Sequence, residues 1–350
     1  MSLPNEPTDM TKHVQWSGAR LRATRDLGPD IRLLEIEPEG AFAATTPGSH
    51  IDIVVAVDGR TEVRSYSLVG PCADGCYRIA VKRLPDGRGG SIGMWRLEAG
   101  QRLTISPPSN SFELSYGRPE YLLIAGGIGI TPIYTMALAL LQAGANFRLL
   151  YAARSRRDLA LADDLTRHIA GRLQLFVSEE GQRIDIAGEI ARLDPRGELY
   201  ACGPFGMLEA AKRHWHEAGR PAAQLRYETF GSGGSLAAVP FRIRIPRLGL
   251  EIDVPANRSM LEALEEAGVD MIFGCRRGEC GLCALPIVEA PVGVDHRDVF
   301  FSPEEKATNS RLCTCVSRSA GGCITLDTPD REARAATNLV TAQGLTPACP

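Results

Sequence analysis

The chain has 350 residues, 44% of them hydrophobic, with a formal net charge of −3, and that length predicts two or three domains rather than one core. No basic excess points to nucleic acid, no apolar run reaches the roughly 18–20 residues that span a bilayer, and residues 1–12 hold no apolar signal core. A cytoplasmic chain without membrane contact is therefore expected, whose ten cysteines serve as buried thiols, catalysts or metal ligands rather than as a disulfide framework.

From Val14 to about Phe112 the pattern is short strands and turns. Residues 31–36, 51–55, 77–81 and 102–105 alternate or run apolar, separated by Pro47-Gly48, Asp58-Gly59, Asp74-Gly75 and Asp86-Gly87. Such regular strands predict a small antiparallel β-barrel. Within it, Arg64-Ser65-Tyr66-Ser67-Leu68 lies on a strand. Arg64 can fork onto a phosphate, and Tyr66 can pack beside a flat ring. Taken alone, this is equally a half-exposed strand.

The style changes at Tyr121. Strands at 121–125, 147–151, 173–177, 198–201 and 225–227 alternate with helices at about 132–142, 158–169 and 205–217, which predicts a doubly wound parallel α/β sheet. Gly126-Gly127-Ile128-Gly129-Ile130-Thr131-Pro132 follows a strand and opens a helix. Its glycines let a diphosphate approach the backbone, and the helix N-terminus offers free N–H groups. Thr131 is expected as N-cap and Pro132 at the first helical position. The usual dinucleotide fingerprint is incomplete, because the third glycine is absent. A second strand-end turn, Cys202-Gly203-Pro204, can flank the same extended cofactor. A third, Arg154-Ser155-Arg156-Arg157, brings guanidiniums to an adenosine ribose or its phosphate, unless it is a solvated charge run.

Residues 231–235, Gly-Ser-Gly-Gly-Ser, read as a linker. Two strands (241–245 and 250–254) follow, then a helix near 259–266 whose Ser259 and Glu262 form a capping box. Cys275, Cys280 and Cys283 then stand in C-x4-C-x2-C spacing on a loop with Gly274, Gly278 and Gly281. That is the spacing of a plant-type [2Fe–2S] ferredoxin. Structural zinc prefers paired C-x2-C knuckles, and only one such pair exists here. The fourth ligand is Cys315 or, on the same strand face, Cys313. Cys315 precedes a short turn and the strand at 324–326, as the last ligand does in ferredoxin modules. Cys323 reads as a small core residue.

Taken together, these modules resemble the phthalate dioxygenase reductase family of the ferredoxin–NADP reductase superfamily, over roughly residues 14–328. Arg64-Ser65-Tyr66-Ser67 matches that family's flavin strand, and Lys82 with Gly89-Gly90-Ser91 its FMN phosphate region. Gly126–Pro132 and Cys202-Gly203-Pro204 match its pyridine-nucleotide turns. Tyr227-Glu228-Thr229-Phe230 matches the end of its NAD domain, where a Phe covers the flavin. Cys275, Cys280, Cys283 and Cys315 match its cluster ligands, Cys315 standing in its Cys-Val-Ser-Arg context. The extra Cys313 and a long tail depart from the pattern.

The resemblance implies an FMN barrel (14–113), an NAD(P)-binding α/β domain (114–230), a linker (231–238), a β-grasp-like [2Fe–2S] ferredoxin domain (239–328) and flexible ends (1–13 and 329–350). It implies FMN, a [2Fe–2S] cluster and NADH as cofactors, with NADPH the alternative. NADH gives a hydride and a cluster takes one electron; flavin exchanges with both. Cys202 and Glu228 would position the nicotinamide and Phe230 would guard the flavin face. The expected function is a monomeric reductase that feeds a Rieske-type aromatic oxygenase or O-demethylase. The alternatives are another one-electron acceptor, such as a separate ferredoxin or a haem monooxygenase, or a redox sensor.

Overall fold

The computed structural model describes residues 15–57, 59–70, 74–85, 87–230 and 236–329. The Gly-Ser linker stretch 231–235, the end segments 1–13 and 330–350, and Cys72 and Cys349 lie outside the described residues.

Six strands form the first sheet: β1 (Ser17–Gly28), β2 (Ile31–Pro38), β3 (His50–Val57), β4 (Arg60–Ser67), β5 (Tyr77–Lys82) and β6 (Arg102–Ile105), with helix α1 (Gly90–Trp95) between the last two. Their order is β4-β3-β6-β1-β2-β5, every pairing antiparallel. A bridge between Leu68, just past β4, and Ile79 of β5 joins the two edges, so the sheet closes on itself. Ile51, Ile53, Leu34, Ile36, Ile79 and Met94 fill it.

The second sheet comprises β7 (Tyr121–Gly126), β8 (Phe147–Ala153), β9 (Leu173–Val177), β10 (Glu198–Cys202) and β11 (Leu225–Glu228). The helices are α2 (Ile130–Gln142), α3 (Ala162–Ile169), α4 (Ile186–Arg192) and α5 (Phe205–Glu217). The order β11-β10-β7-β8-β9 is wholly parallel, so the winding reverses beside β7. All six residues of β7 are buried, as a strand covered on both faces requires. Helix α3 starts later than the sequence pattern suggests. A capping box of Ser155 and Asp158 closes a short 3₁₀ turn, and Leu161 at φ 63° breaks the path before the helix restarts. Helix α4, only seven residues long, escaped the sequence reading.

Barrel residues Ile31, Leu33, Val69 and Ala80 pack in one core with Ile130, Ile133, Tyr134 and Ala137 of α2. The barrel and the parallel sheet accordingly form one compact unit, residues up to Gly203 with Ala210–Glu228. Pro204–Glu209 and the chain from Thr229 form the other.

In the second unit, β12 (Phe241–Ile245), β13 (Leu250–Val254), α6 (Met260–Glu266), β14 (Ala284–Glu289), β15 (Val294–Asp295), α7 (Pro303–Thr308), β16 (Arg311–Cys313), β17 (Arg318–Ser319) and β18 (Cys323–Leu326) follow in order. Five of them make a mixed sheet, β13-β12-β18-β14-β16. Ser259 caps α6 in the expected box with Glu262, and Ser302 and Glu305 repeat the device on α7. Phe241, Ile243, Leu261, Leu264, Ile324 and Leu326 make its core, into which Cys283, Cys313 and Cys315 are built. Among the described residues, no helix is long and apolar enough to cross a membrane.

Candidate functional site

On β4, Arg64 and Tyr66 share one face and Ser65 and Ser67 the other. The Arg64 side chain packs over Gly90 so closely that a Cβ there would collide with it. Gly89, left-handed at φ 78°, lies against Val57 and turns the chain into α1. An arginine fork, two glycines without side chains and the unpaired amides of a helix start are thereby brought together. That donor set fits a phosphate. Arg64 is paired with Glu62, and the Ser91 hydroxyl accepts the Leu84 amide at 3.0 Å. Tyr66 packs against the barrel core, and burial pushes its phenol pKa up. The Ser65 hydroxyl donates to Asp52 (2.5 Å) and that of Ser67 to Glu228 (3.5 Å). Lys82 lies 3.8 Å from Asp158.

The two strand-end turns, after β7 and after β10, are in contact. A Cβ on Gly129 would strike the Cys202 carbonyl and come within 2.8 Å of the Gly203 amide. Glycine is thus required there by the neighbouring turn, and Gly127, at φ 53°, by backbone conformation. Ala125, Cys202 and Glu228 stand abreast at the carboxyl ends of β7, β10 and β11, where open parallel sheets bind ligands. Cys202 and Glu228 are both buried.

Thr131 is not the N-cap. The 3₁₀ turn Gly127–Gly129 runs straight into α2, whose N-cap is Gly129. The glycines let the chain enter helical geometry two residues early, so Thr131 is buried in the first turn and donates its hydroxyl to the Ile128 carbonyl at 3.0 Å. Pro132 therefore occupies the third helical position rather than the first.

Beyond β8, Arg154 pairs with Glu179 at 3.1 Å and Arg156 with Glu180 at 2.6 Å. The buried Ser155 is held by Asp158, and the Glu179 amide donates to the Arg154 carbonyl at 3.0 Å. The sequence reading found the arginines but missed their carboxylates, which come from the end of the next strand.

The loop from Cys275 to Cys283 is wound by left-handed residues Arg276, Gly278 and Gly281. The winding aims the amides of Arg277 and Glu279 at Cys275 Sγ, each at 3.3 Å. Cys275 is hydrogen-bonded with Cys280, and burial pushes its thiol up. Cys283 takes bonds from the Cys313 and Cys315 thiols, which pull it toward the thiolate. The bond to Cys283 and burial push both the Cys313 and the Cys315 thiol up; the Gly278 amide donates to Cys315, and the negative charge of Asp298 adds to the rise at Cys313. Among the described residues, no three of His, Cys, Asp and Glu converge as on a single metal ion. The bonded thiols are Cys275 with Cys280, and Cys283 with Cys313 and Cys315, a donor set that fits two irons held by four thiolates. Phe230 is 40% exposed.

Comparison with known proteins is decisive. Residues 243–320 match the 2Fe-2S iron-sulfur cluster binding domain family, and 123–213 the oxidoreductase NAD-binding domain family. The chain is 37% identical over 319 residues to a putative toluene-4-sulfonate monooxygenase system reductase subunit of Comamonas testosteroni, covering 87% of this chain and 96% of that one. The solved phthalate dioxygenase reductase superposes with a TM-score of 0.72 at 28% identity, covering 90% of this chain and 98% of that one. The chain belongs to the phthalate dioxygenase reductase family. It is an NADH-dependent FMN and [2Fe–2S] electron-transfer reductase of an oxygenase system. Two further relatives bear names of another kind. A haem-dependent oxidative N-demethylase β subunit of Ectopseudomonas mendocina (strain ymp) is 37% identical over 314 residues, covering 88% of this chain and 97% of that one. An intact self-sufficient cytochrome P450 monooxygenase shares 30% identity at a TM-score of 0.63, covering 89% of the reductase, which spans only 41% of that longer chain.

FMN, when bound, supplies the junction between a two-electron hydride donor and one-electron carriers.

Proposed function

We propose that the reductase serves a Rieske-type aromatic oxygenase or O-demethylase. In this reading Arg64 and the start of α1 hold the FMN phosphate, with Gly89, Gly90, Ser91 and Lys82 around it. Ser65, Tyr66 and Ser67 line the flavin ring, and Phe230 guards its exposed face. Gly126, Gly127, Gly129, Thr131, Gly203 and Pro204 shape the diphosphate path. Arg154 and Ser155 meet the adenosine ribose. Cys202 and Glu228 orient the nicotinamide, the carboxylate of Glu228 being kept in place by Ser67. Cys275, Cys280, Cys283 and Cys315 hold the cluster.

The observation that carries the acceptor class is the end-to-end match to phthalate dioxygenase reductase, over 90% of one chain and 98% of the other. A haem acceptor is the second reading, favoured by the haem-dependent N-demethylase subunit at 37% identity. NADH-driven turnover of an aromatic substrate by a purified Rieske oxygenase, in the presence of this reductase, supports the first reading. Failure with every Rieske partner tried, together with rapid reduction of a haem monooxygenase, overturns it. NADH-driven reduction of a soluble one-electron dye excludes a sensor that does not turn over.

A further inference from the structure

Four residues of the second unit, Asp295-His296-Arg297-Asp298, supply none of the ligand or cofactor-binding groups assigned above. Asp298 is completely buried. Its Oδ2 accepts the Phe301 amide at 2.9 Å and its Oδ1 the Ser317 hydroxyl at 3.2 Å. The Lys306 amine donates to its carbonyl at 2.5 Å and lies 3.9 Å from Oδ2. His296 Nδ1 stands 3.7 Å from Oδ1. A buried carboxylate survives only where partners satisfy it, and here one of them, Ser317, belongs to the segment that carries Cys313 and Cys315, while Phe301, Lys306 and His296 come from Asp298's own stretch of chain.

Ser317 lies two residues beyond Cys315, and its amide donates to the Cys313 carbonyl at 3.0 Å. On the other side Val299, next in the chain to Asp298, donates its amide to the Gly278 carbonyl at 3.0 Å, in the middle of the cluster loop. A Cβ on Gly278 would sit 2.9 Å from Asp298 Cα and 2.6 Å from Val316 Cγ2. Asp298 therefore joins the loop bearing Cys275, Cys280 and Cys283 to the segment bearing Cys315.

We propose that Asp298 is a positioning residue for the iron–sulfur centre, clamping its two ligand-bearing segments together and fixing a negative charge beside them. This role presupposes Cys315 as fourth ligand and is independent of which acceptor the reductase serves. Reduction adds negative charge to a cluster, so a fixed carboxylate nearby disfavours it, and cluster potentials follow local charge and hydrogen bonding. Neutralising Asp298 raises the potential. Cutting the clamp at Ser317 keeps the charge and loosens the centre.

The test uses the full chain loaded with flavin and cluster, comparing wild type with Asp298→Asn, Ser317→Ala and Cys315→Ser. The potential is read by electron paramagnetic resonance during a redox titration, and cluster loss to a chelator by visible absorbance. Asp298→Asn should favour the reduced cluster about tenfold, ~59 mV for one electron. Ser317→Ala should lose its cluster about 10-fold faster, as loss of outer-shell support does, with the potential close to wild type. An unchanged potential in Asp298→Asn, or a Ser317→Ala shift as large as that of Asp298→Asn, overturns the proposal. If Asp298→Asn does not accumulate with a cluster, Ser317→Ala decides, and wild-type durability there overturns the clamp. A cluster retained in Cys315→Ser instead overturns the ligand set on which the role depends.

Discussion

In the proposed sites, the groups offered to a ligand at the carboxyl ends of β7 and β10 are main-chain amides, whereas between Cys275 and Cys315 they are side-chain sulfurs. The first kind of site depends on how closely two backbones approach, as Gly129 shows where it lies against the Cys202 carbonyl. The second depends on which residues a wound loop carries inward, as the amides on Cys275 show. A backbone site is damaged by adding an atom, and a sulfur site by exchanging one.

Breaking the sulfur site should have the largest effect. Cys315→Ser should abolish the cluster, measured as iron content and visible absorbance, while leaving NADH-to-flavin transfer intact. Cys313→Ser should keep the cluster, and the reverse pattern would exchange the two assignments. The backbone counterpart comes next. Gly129→Ala forces the two nucleotide turns apart, an overpacking cost of about 1–3 kcal/mol. It should slow NADH-driven flavin reduction in stopped flow without changing iron content.

Arg64→Ala tests a site of mixed character, a side-chain fork beside a helix start. Losing a charge-assisted hydrogen bond, ~1.5–3 kcal/mol, should weaken FMN retention about 10- to 100-fold in an ultrafiltration assay. A fully flavinated variant would contradict the phosphate role. The smallest effect belongs to the nucleotide's far end. Glu179 and Glu180 neutralise Arg154 and Arg156, so replacing both with glutamine frees two guanidiniums for a 2′-phosphate. The ratio of NADPH to NADH turnover should rise about three- to tenfold at low salt and less at high salt, because these charges are exposed and screened. An unchanged ratio would remove the carboxylates from any part in cofactor choice.

The same contrast explains what was legible in advance. Strands at 173–177, 241–245 and 250–254 and the helix at 205–217 stand where periodicity put them, because burial of one face imposes a period on the residues themselves. The box of Ser259 and Glu262 was equally readable, since both partners lie within one turn. Thr131 was misplaced because a glycine turn can lead into a helix without a side-chain cap, and no local signal distinguishes a capped helix start from an uncapped one.

By itself the sequence determined the order of barrel, parallel sheet and cysteine loop, and the chemistry of the groups each one carries. Composition, spacing and period are local properties, and they survive in any conformation. Only the tertiary structure decided that Gly129 is held by Cys202, that Arg154 and Arg156 meet carboxylates, and that Asp298 ties the two cysteine segments together. Those are encounters between residues distant along the chain. Their partners are chosen by packing and by the need to satisfy buried charge, which no window of the sequence contains.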